Sequence, residues 1–307
     1  MPATSMKSAS DTAAPALLDF YATSGRMTCG GARAALLEAL PRDVASLMRI
    51  VQGLVIHEYA SSFYGVDISQ ARREESHIRE VERMLDRILS IDPSPLDVVR
   101  PPEKRLVGVC HHHVLLLVAM LRAKGIPARG RLGFGGYFNP GYFEDHSICE
   151  YWDAARGRWA LADAQFDAIW CERLRIDHDV RDVPHDRYLI PADAWVQCRT
   201  GKADPSRFGI FHGNLRGLWF IAGNLVRDVS ALNKMEMLQW DVWGAMQRLR
   251  PDQEIGKDDL AFYDALAELT RHLDTSFAEL RTRYESDQRL TVPPTVFNAL
   301  LNRPETV

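Results

Sequence analysis

Residues 107–114 read VGVCHHHV, a thiol set between Gly108 and three histidines. Three chemistries suit Cys110. It is a metal ligand beside His111, His112 and His113, or a small buried hydrophobe, or a nucleophile at a helix start. Cysteine packs readily as a core residue. At a helix N-terminus, however, the backbone dipole favours the thiolate, which is the reactive form. The metal reading is the weakest, because neighbouring helical residues point about 100° apart. Zinc ligands on a helix prefer i,i+4 spacing. Gly108, with no side chain, allows close approach of another chain or a substrate.

A nucleophile needs a base. The segments HSICEYW (146–152) and RWALADAQ (158–165) alternate as strands joined by DAARG. A turn centred on Ala154 and Ala155 sets His146 opposite Asp163. Facing side chains of such a pair share one face, with Cβ atoms about 4.5–5.5 Å apart. The carboxylate would accept the His146 Nδ1–H, fix the tautomer and stabilise the imidazolium. If the helix after Cys110 packs on this sheet, the sulfur sits over His146, giving nucleophile, base and orienting carboxylate. The Cys110 N–H would then serve as one oxyanion donor. Cys149, three residues after His146, points to the opposite face and reads as core. Cys29, Cys171 and Cys198 show no partner pattern.

GVC, then MLRAKGIPARGRLGF, then DHSICEYWDAARGRWALADAQFD resemble the transglutaminase-like superfamily in both order and spacing. That resemblance covers about residues 100–168. It implies a papain-like α+β core with Cys110 as nucleophile, His146 as base and Asp163 as third member. No metal or organic cofactor is expected for such chemistry. The chain departs from the pattern at Ile148, where the family often has Trp. It departs again at Asp163-Ala164-Gln165, where DPT is common. A protein glutamine is therefore not carried over as the substrate. The family uses a side chain N-terminal to the nucleophile as second oxyanion donor, and Tyr64 is the candidate within HEYASSFYG (57–65). His111, Gln165 and Glu150 are further candidates at the cleft. Gln165 and Glu150 share the parity of Asp163 and His146.

The elements that must position these groups follow from apolar spacing. GARAALLEAL (31–40) and DVASLMRIVQGLVIHEY (43–59) read as helices separated by Pro41. ARREESHIREVERMLDRILSI (71–91) reads as a helix with Ile78, Val81, Leu85, Ile88 and Leu89 on one stripe. Its arginines and glutamates form a solvated face. The proline-rich stretch 92–105 is a connector. HHHVLLLVAMLRAKG is apolar on every side, hence a buried helix ended by Gly125. Residues 126–138 form a glycine-rich strand with a kink or bulge. Beyond it, 219–238 and 257–284 read as helices, and WDVWG (240–244) as an aromatic packing element or pocket wall. The expected class is α+β. The expected division is a disordered tail (1–15), an N-terminal helical region (16–100), a catalytic core (101–190) and a mostly helical C-terminal region (191–307).

The composition, 46% hydrophobic and 25% charged, is that of an ordinary globular chain. A net charge of -4 argues against a general nucleic-acid binder. Five cysteines with no CxxC spacing argue against a disulfide framework and a four-cysteine zinc site. No apolar run is long enough for a membrane span, and the first residues do not resemble a signal peptide. A cytoplasmic setting is expected. The expected activity is cysteine-dependent acyl transfer or amide hydrolysis on a small-molecule, peptide or carrier-bound acyl substrate. The alternatives are a biosynthetic amide-forming enzyme and a catalytically silent binding scaffold. The oligomeric state is open.

Overall fold

A computed structural model describes residues 15–213, 215–251 and 253–307. The expected tail lies outside them except for Pro15, which opens helix α1 (Pro15–Tyr21). Helix α2 (Ala34–Glu38) is followed by α3 (Val44–Leu54), capped by Asp43, whose carboxylate accepts the Ser46 N–H at 2.8 Å. The sequence pattern carried this helix on to Tyr59. It ends at Leu54 because the β-branched Val55 and Ile56 leave as strand β1 (Val55–His57). That strand pairs in parallel with β2 (Leu106–Gly108), the strand that delivers Cys110.

The segment read as one helix over 71–91 is broken. It forms α4 (Gln70–Arg73), a 3-10 turn over Glu74–His77, and α5 (Val81–Ile91). The turn directs Glu75 inward, where it is 5% exposed. Its carboxylate accepts from Arg72, from Arg87 and from the Val107 N–H at 2.8 Å. Arg79 is likewise buried, against Asp241. These charges are therefore not a solvated face. Glu75 ties the helical region to β2, as a buried carboxylate must be tied, and Arg79 ties it to Asp241. The apolar stripe does form, with Val81, Leu85 and Ile88 buried and Met84 beside them.

Helix α6 (Cys110–Ala123) is buried from Cys110 to Arg122, as its all-round apolar surface requires. Gly125 follows with φ of 67°, the left-handed C-terminal position that glycine takes without strain. The helix packs on β3 (Ala128–Asn139) and β4 (Tyr142–Asp153), an antiparallel pair. The β3–β4 register shifts between Gly135 and Asn139, the irregularity that the glycines suggested. Strand β5 (Arg158–Ala162) pairs antiparallel with β4 on its other side.

After α7 (Ala168–Leu174), strand β6 (Tyr188–Leu189) joins β3, and α8 (Pro191–Arg199) follows. Strand β7 (Phe208–Gly209) then pairs in parallel with β4. The five-stranded sheet runs β5-β4-β3-β6 with β7 on β4. Helix α9 (Leu218–Leu232) covers β3 and stops short of the expected end at residue 238. The expected helix over 257–284 is two, α10 (Lys257–Arg271) and α11 (Leu273–Ser286). They part at His272, whose backbone leaves the helical region. A second sheet, which apolar periodicity did not reveal, joins β8 (Asp241–Val242) to the hairpin β9 (Thr295–Asn298) and β10 (Arg303–Thr306). One apolar cluster reaches from Leu17 to Val296 and takes in α3, α5, α6, α9 and α10. Mixed helix and antiparallel sheet is the α+β class expected. Among the described residues, no helix is long and apolar enough to cross a membrane.

Candidate active site

Cys110 opens α6, where the first N–H groups of a helix have no intrahelical acceptor. The turn that enters the helix is set by its own histidines. His112 Nδ1 accepts the Val109 N–H at 3.2 Å, and His113 Nδ1 lies 3.2 Å from the Val109 carbonyl. Gly108 serves this turn. A Cβ there would lie 2.7 Å from Cγ of His112, so the group that approaches Gly108 closely is this ring, not a substrate. Burial pulls the His111 imidazole down to about 3 and that of His113 to about 4. It holds His112 well below the usual imidazole range. All three are neutral structural rings at ordinary pH. Among the described residues, no three His, Cys, Asp or Glu side chains are grouped to hold a metal ion.

His146 lies on β4 and its Nε2 is 2.8 Å from Asp163 Oδ2. The expected pair forms, in a register that differs by two residues from the expected one. Ala162 faces Cys149 and Arg158 faces Asp153, so the ladder extended would put Gln165 opposite His146. The reason is the connection. Asp153 O accepts the N–H groups of Arg156 and Gly157, and Gly157 takes φ of 64°, which moves the turn toward the C-terminal side. A shift of two keeps side-chain parity. Asp163 has also left the strand, with its N–H on the Val180 carbonyl at 2.7 Å. The carboxylate thus reaches His146 diagonally. It takes Nε2 rather than the expected Nδ1.

Asp163 is held from three directions. Its Oδ2 also accepts the Tyr137 hydroxyl at 2.7 Å, and its Oδ1 accepts the Gln165 N–H at 3.3 Å. Around the imidazole stand Phe138, Tyr137 and Phe166, with ring centroids 4.9, 6.0 and 6.0 Å away. Burial alone would pull His146 down. The Asp163 carboxylate, with a smaller contribution from Cys110, outweighs it and raises the imidazole to about 10. Cys110 is 6% exposed and His146 and Asp163 are each 2% exposed, so the three groups are largely withdrawn from water.

The other candidates fall differently. Gln165 stays beside the triad, buried, through its backbone bond to Asp163. His111 is buried next to Cys110 in sequence. Tyr64 is directed elsewhere, donating its hydroxyl to Asp167 at 2.8 Å beneath the Arg105 guanidinium. Glu150 is buried, and Arg129 and Arg131 bind its carboxylate, with Arg131 also on Asp228. That ionic network holds Glu150 well down, to about 2: burial opposes the shift, and the two arginines overcome it. Cys149 is fully buried, as expected.

One residue at the site escaped the sequence reading. Gln239 Nε2 donates to Cys110 Sγ at 2.8 Å and lies 3.5 Å from Ser147 Oγ. It sits one residue before the WDVWG run, whose Trp240 is half-buried against His77 and whose Trp243 is core. Nothing local in sequence marks a turn glutamine as an active-site group. The only signal was the neighbouring aromatic run.

Comparison with protein families matches residues 64–164 to the Transglutaminase-like superfamily core. Comparison with curated proteins gives no match. Among solved structures, a provisionally named cysteine protease from Cytophaga hutchinsonii is similar at 17% identity with a TM-score of 0.33. The likeness covers 58% of this chain and 49% of that one, so the chain spans about half the length of that protein. The family match, with cysteine, histidine and aspartate in family order, supports a cysteine-based enzyme in general terms.

Proposed function

Given that residues 64–164 match the transglutaminase-like superfamily, we propose that the protein catalyses acyl transfer or amide hydrolysis through a thioester on Cys110. The observation that carries this reading is the 2.8 Å contact of His146 with Asp163, beside a cysteine at the start of α6. The Cys110 sulfur attacks an acyl carbonyl. The proton held by His146, at Nδ1, passes to the leaving amine. Asp163 accepts the Nε2–H and keeps the ring aligned while it carries charge. An imidazole raised to about 10 holds a proton through neutral pH, available to the leaving amine. Water or a second amine then resolves the thioester.

The enclosure of the sulfur, 6% exposed beneath Gln239, favours a small or carrier-bound acyl donor over a protein side chain. Withdrawal from water also favours an amine over hydrolysis in the second step. The test is alkylation by iodoacetamide near pH 6, followed by intact mass and peptide mapping. Cys110 is expected to react faster than the exposed Cys29, and His146→Ala to slow Cys110 alone. Preferred labelling of Cys29, or an unchanged rate in His146→Ala, would overturn the reading in favour of a silent scaffold.

A further inference from the structure

We infer that Gln239 is a catalytic residue, the second donor of the oxyanion site, contributed by the C-terminal region rather than by the chain before the nucleophile. The inference rests on the acyl-transfer reading and deepens it. An acyl carbon bonded to Sγ carries its oxygen within reach of donors that already surround the sulfur. Two such donors are on hand. One is the Cys110 N–H, an unshared donor of the first helical turn. The other is the Gln239 amide, whose Nε2 stands 2.8 Å from Sγ. Tyr64, the N-terminal alternative, spends its hydroxyl on Asp167.

Gln239 is fixed rather than trailing. It occupies a turn closed by the Asp241 N–H on the Leu238 carbonyl at 3.0 Å. The same turn is closed in reverse by the Leu238 N–H on Asp241 Oδ2 at 3.1 Å. The Asp241 carboxylate is clamped by Arg79 through two contacts of 2.9 and 2.7 Å, and Asp241 itself is fully buried. The Gln239 Oε1 is buried and takes no hydrogen bond among the described residues. The amide is therefore oriented by its donor end, toward the sulfur. A donor held in place before charge develops costs no reorganisation when it does.

The Cys110 thiolate forms a C–S bond to the carbonyl carbon, and the π pair moves onto oxygen. That oxygen accepts from the Cys110 N–H and Gln239 Nε2–H. The pair then returns, the bond to the leaving group breaks, and the thioester remains. Alkylation by iodoacetamide needs the same sulfur but forms no oxyanion, since iodide leaves in a single displacement. The two reagents separate the roles.

The experiment compares acylation of Cys110 by 4-nitrophenyl acetate with alkylation by iodoacetamide. It uses the full chain and its Gln239→Ala and Gln239→Glu variants, followed by nitrophenolate release and intact mass. The expected result is acylation about 100-fold slower in both variants, with alkylation at the wild-type rate or faster. The Gln239→Glu variant fails because a carboxylate accepts where a donor is needed. Acylation at the wild-type rate in Gln239→Ala would overturn the inference and leave the acyl-transfer reading intact. Parallel loss of both reactions would also overturn it, making Gln239 a support of the sulfur. A wild-type chain that alkylates at Cys110 but never acylates would sink the acyl-transfer reading itself.

Discussion

Gly108 has no room for a side chain, because the His112 ring lies where a Cβ would go. The nearest atoms are Cγ at 2.7 Å and Cβ at 2.8 Å, and a Cβ cannot swing aside. Gly108→Ala is expected to cost about 1–3 kcal/mol, the usual result of overpacking. It should also slow alkylation of Cys110 by disturbing the helix start. Urea unfolding and the iodoacetamide rate check both halves, and unchanged values in both would contradict the account. At this scale much of the site was legible. Cys110, His146 and Asp163 lie in one stretch where strand alternation and a helix start leave local marks. The His146–Asp163 pairing survived a two-residue register error because parity is what the alternation encodes. The identity of the bonded nitrogen was not encoded, since it depends on Asp163 leaving the strand. Gln239, 129 residues beyond Cys110, was not legible at all.

The elements that deliver Cys110 are held by charge as well as by apolar packing. Glu75 binds Arg72 and Arg87 and, through the Val107 N–H, the strand that precedes the nucleophile. Glu75→Ala leaves that N–H without its acceptor and takes the carboxylate from Arg72 and Arg87, although Arg72 keeps the Glu103 and Arg105 carbonyls. The expected loss is about 2–4 kcal/mol, below the full cost of breaking a buried pair because both arginines keep contact with solvent. Denaturant unfolding measures it, and a loss under about 1 kcal/mol would show that Glu75 is not the anchor. The helix expected over 71–91 failed at this point. Periodicity sees the apolar stripe of α5 but not a carboxylate whose partners come from a distant strand. The breaks after Leu54 and at His272 have the same origin in tertiary pairing and local backbone geometry, which overrule propensity.

For the molecule as a whole, burial of neutral histidines sets the acid limb of stability. Burial holds His57 and His111 down to about 3 and His113 to about 4. The unfolded chain, with imidazoles near 6.5, binds more protons below that pH, so these groups stabilise the fold fully above about 6.5. Their contribution is lost as pH falls toward the folded values. His146, raised to about 10, acts in the opposite sense: its contribution is full below about 6.5 and fades as pH rises toward 10. The depressed group is the larger, so stability should drop on the acid side by as much as about 1.4 kcal/mol per proton per pH unit. Thermal melts between about pH 5 and 7 test this. A flat or rising midpoint on acidification would contradict it, and His57→Gln should flatten the slope. The second sheet escaped the sequence reading because its strands are short and come from segments far apart.

The last strand of that second sheet carries Glu305, whose carboxylate meets the same Arg79 that grips Asp241. An arginine from the first third of the chain therefore holds both the loop over the sulfur and the last hairpin. Inheritance should expose this. A lesion at Glu305 would be scored by a geneticist as a defect of turnover, and compensating changes would surface at Arg79, far away in the coding order.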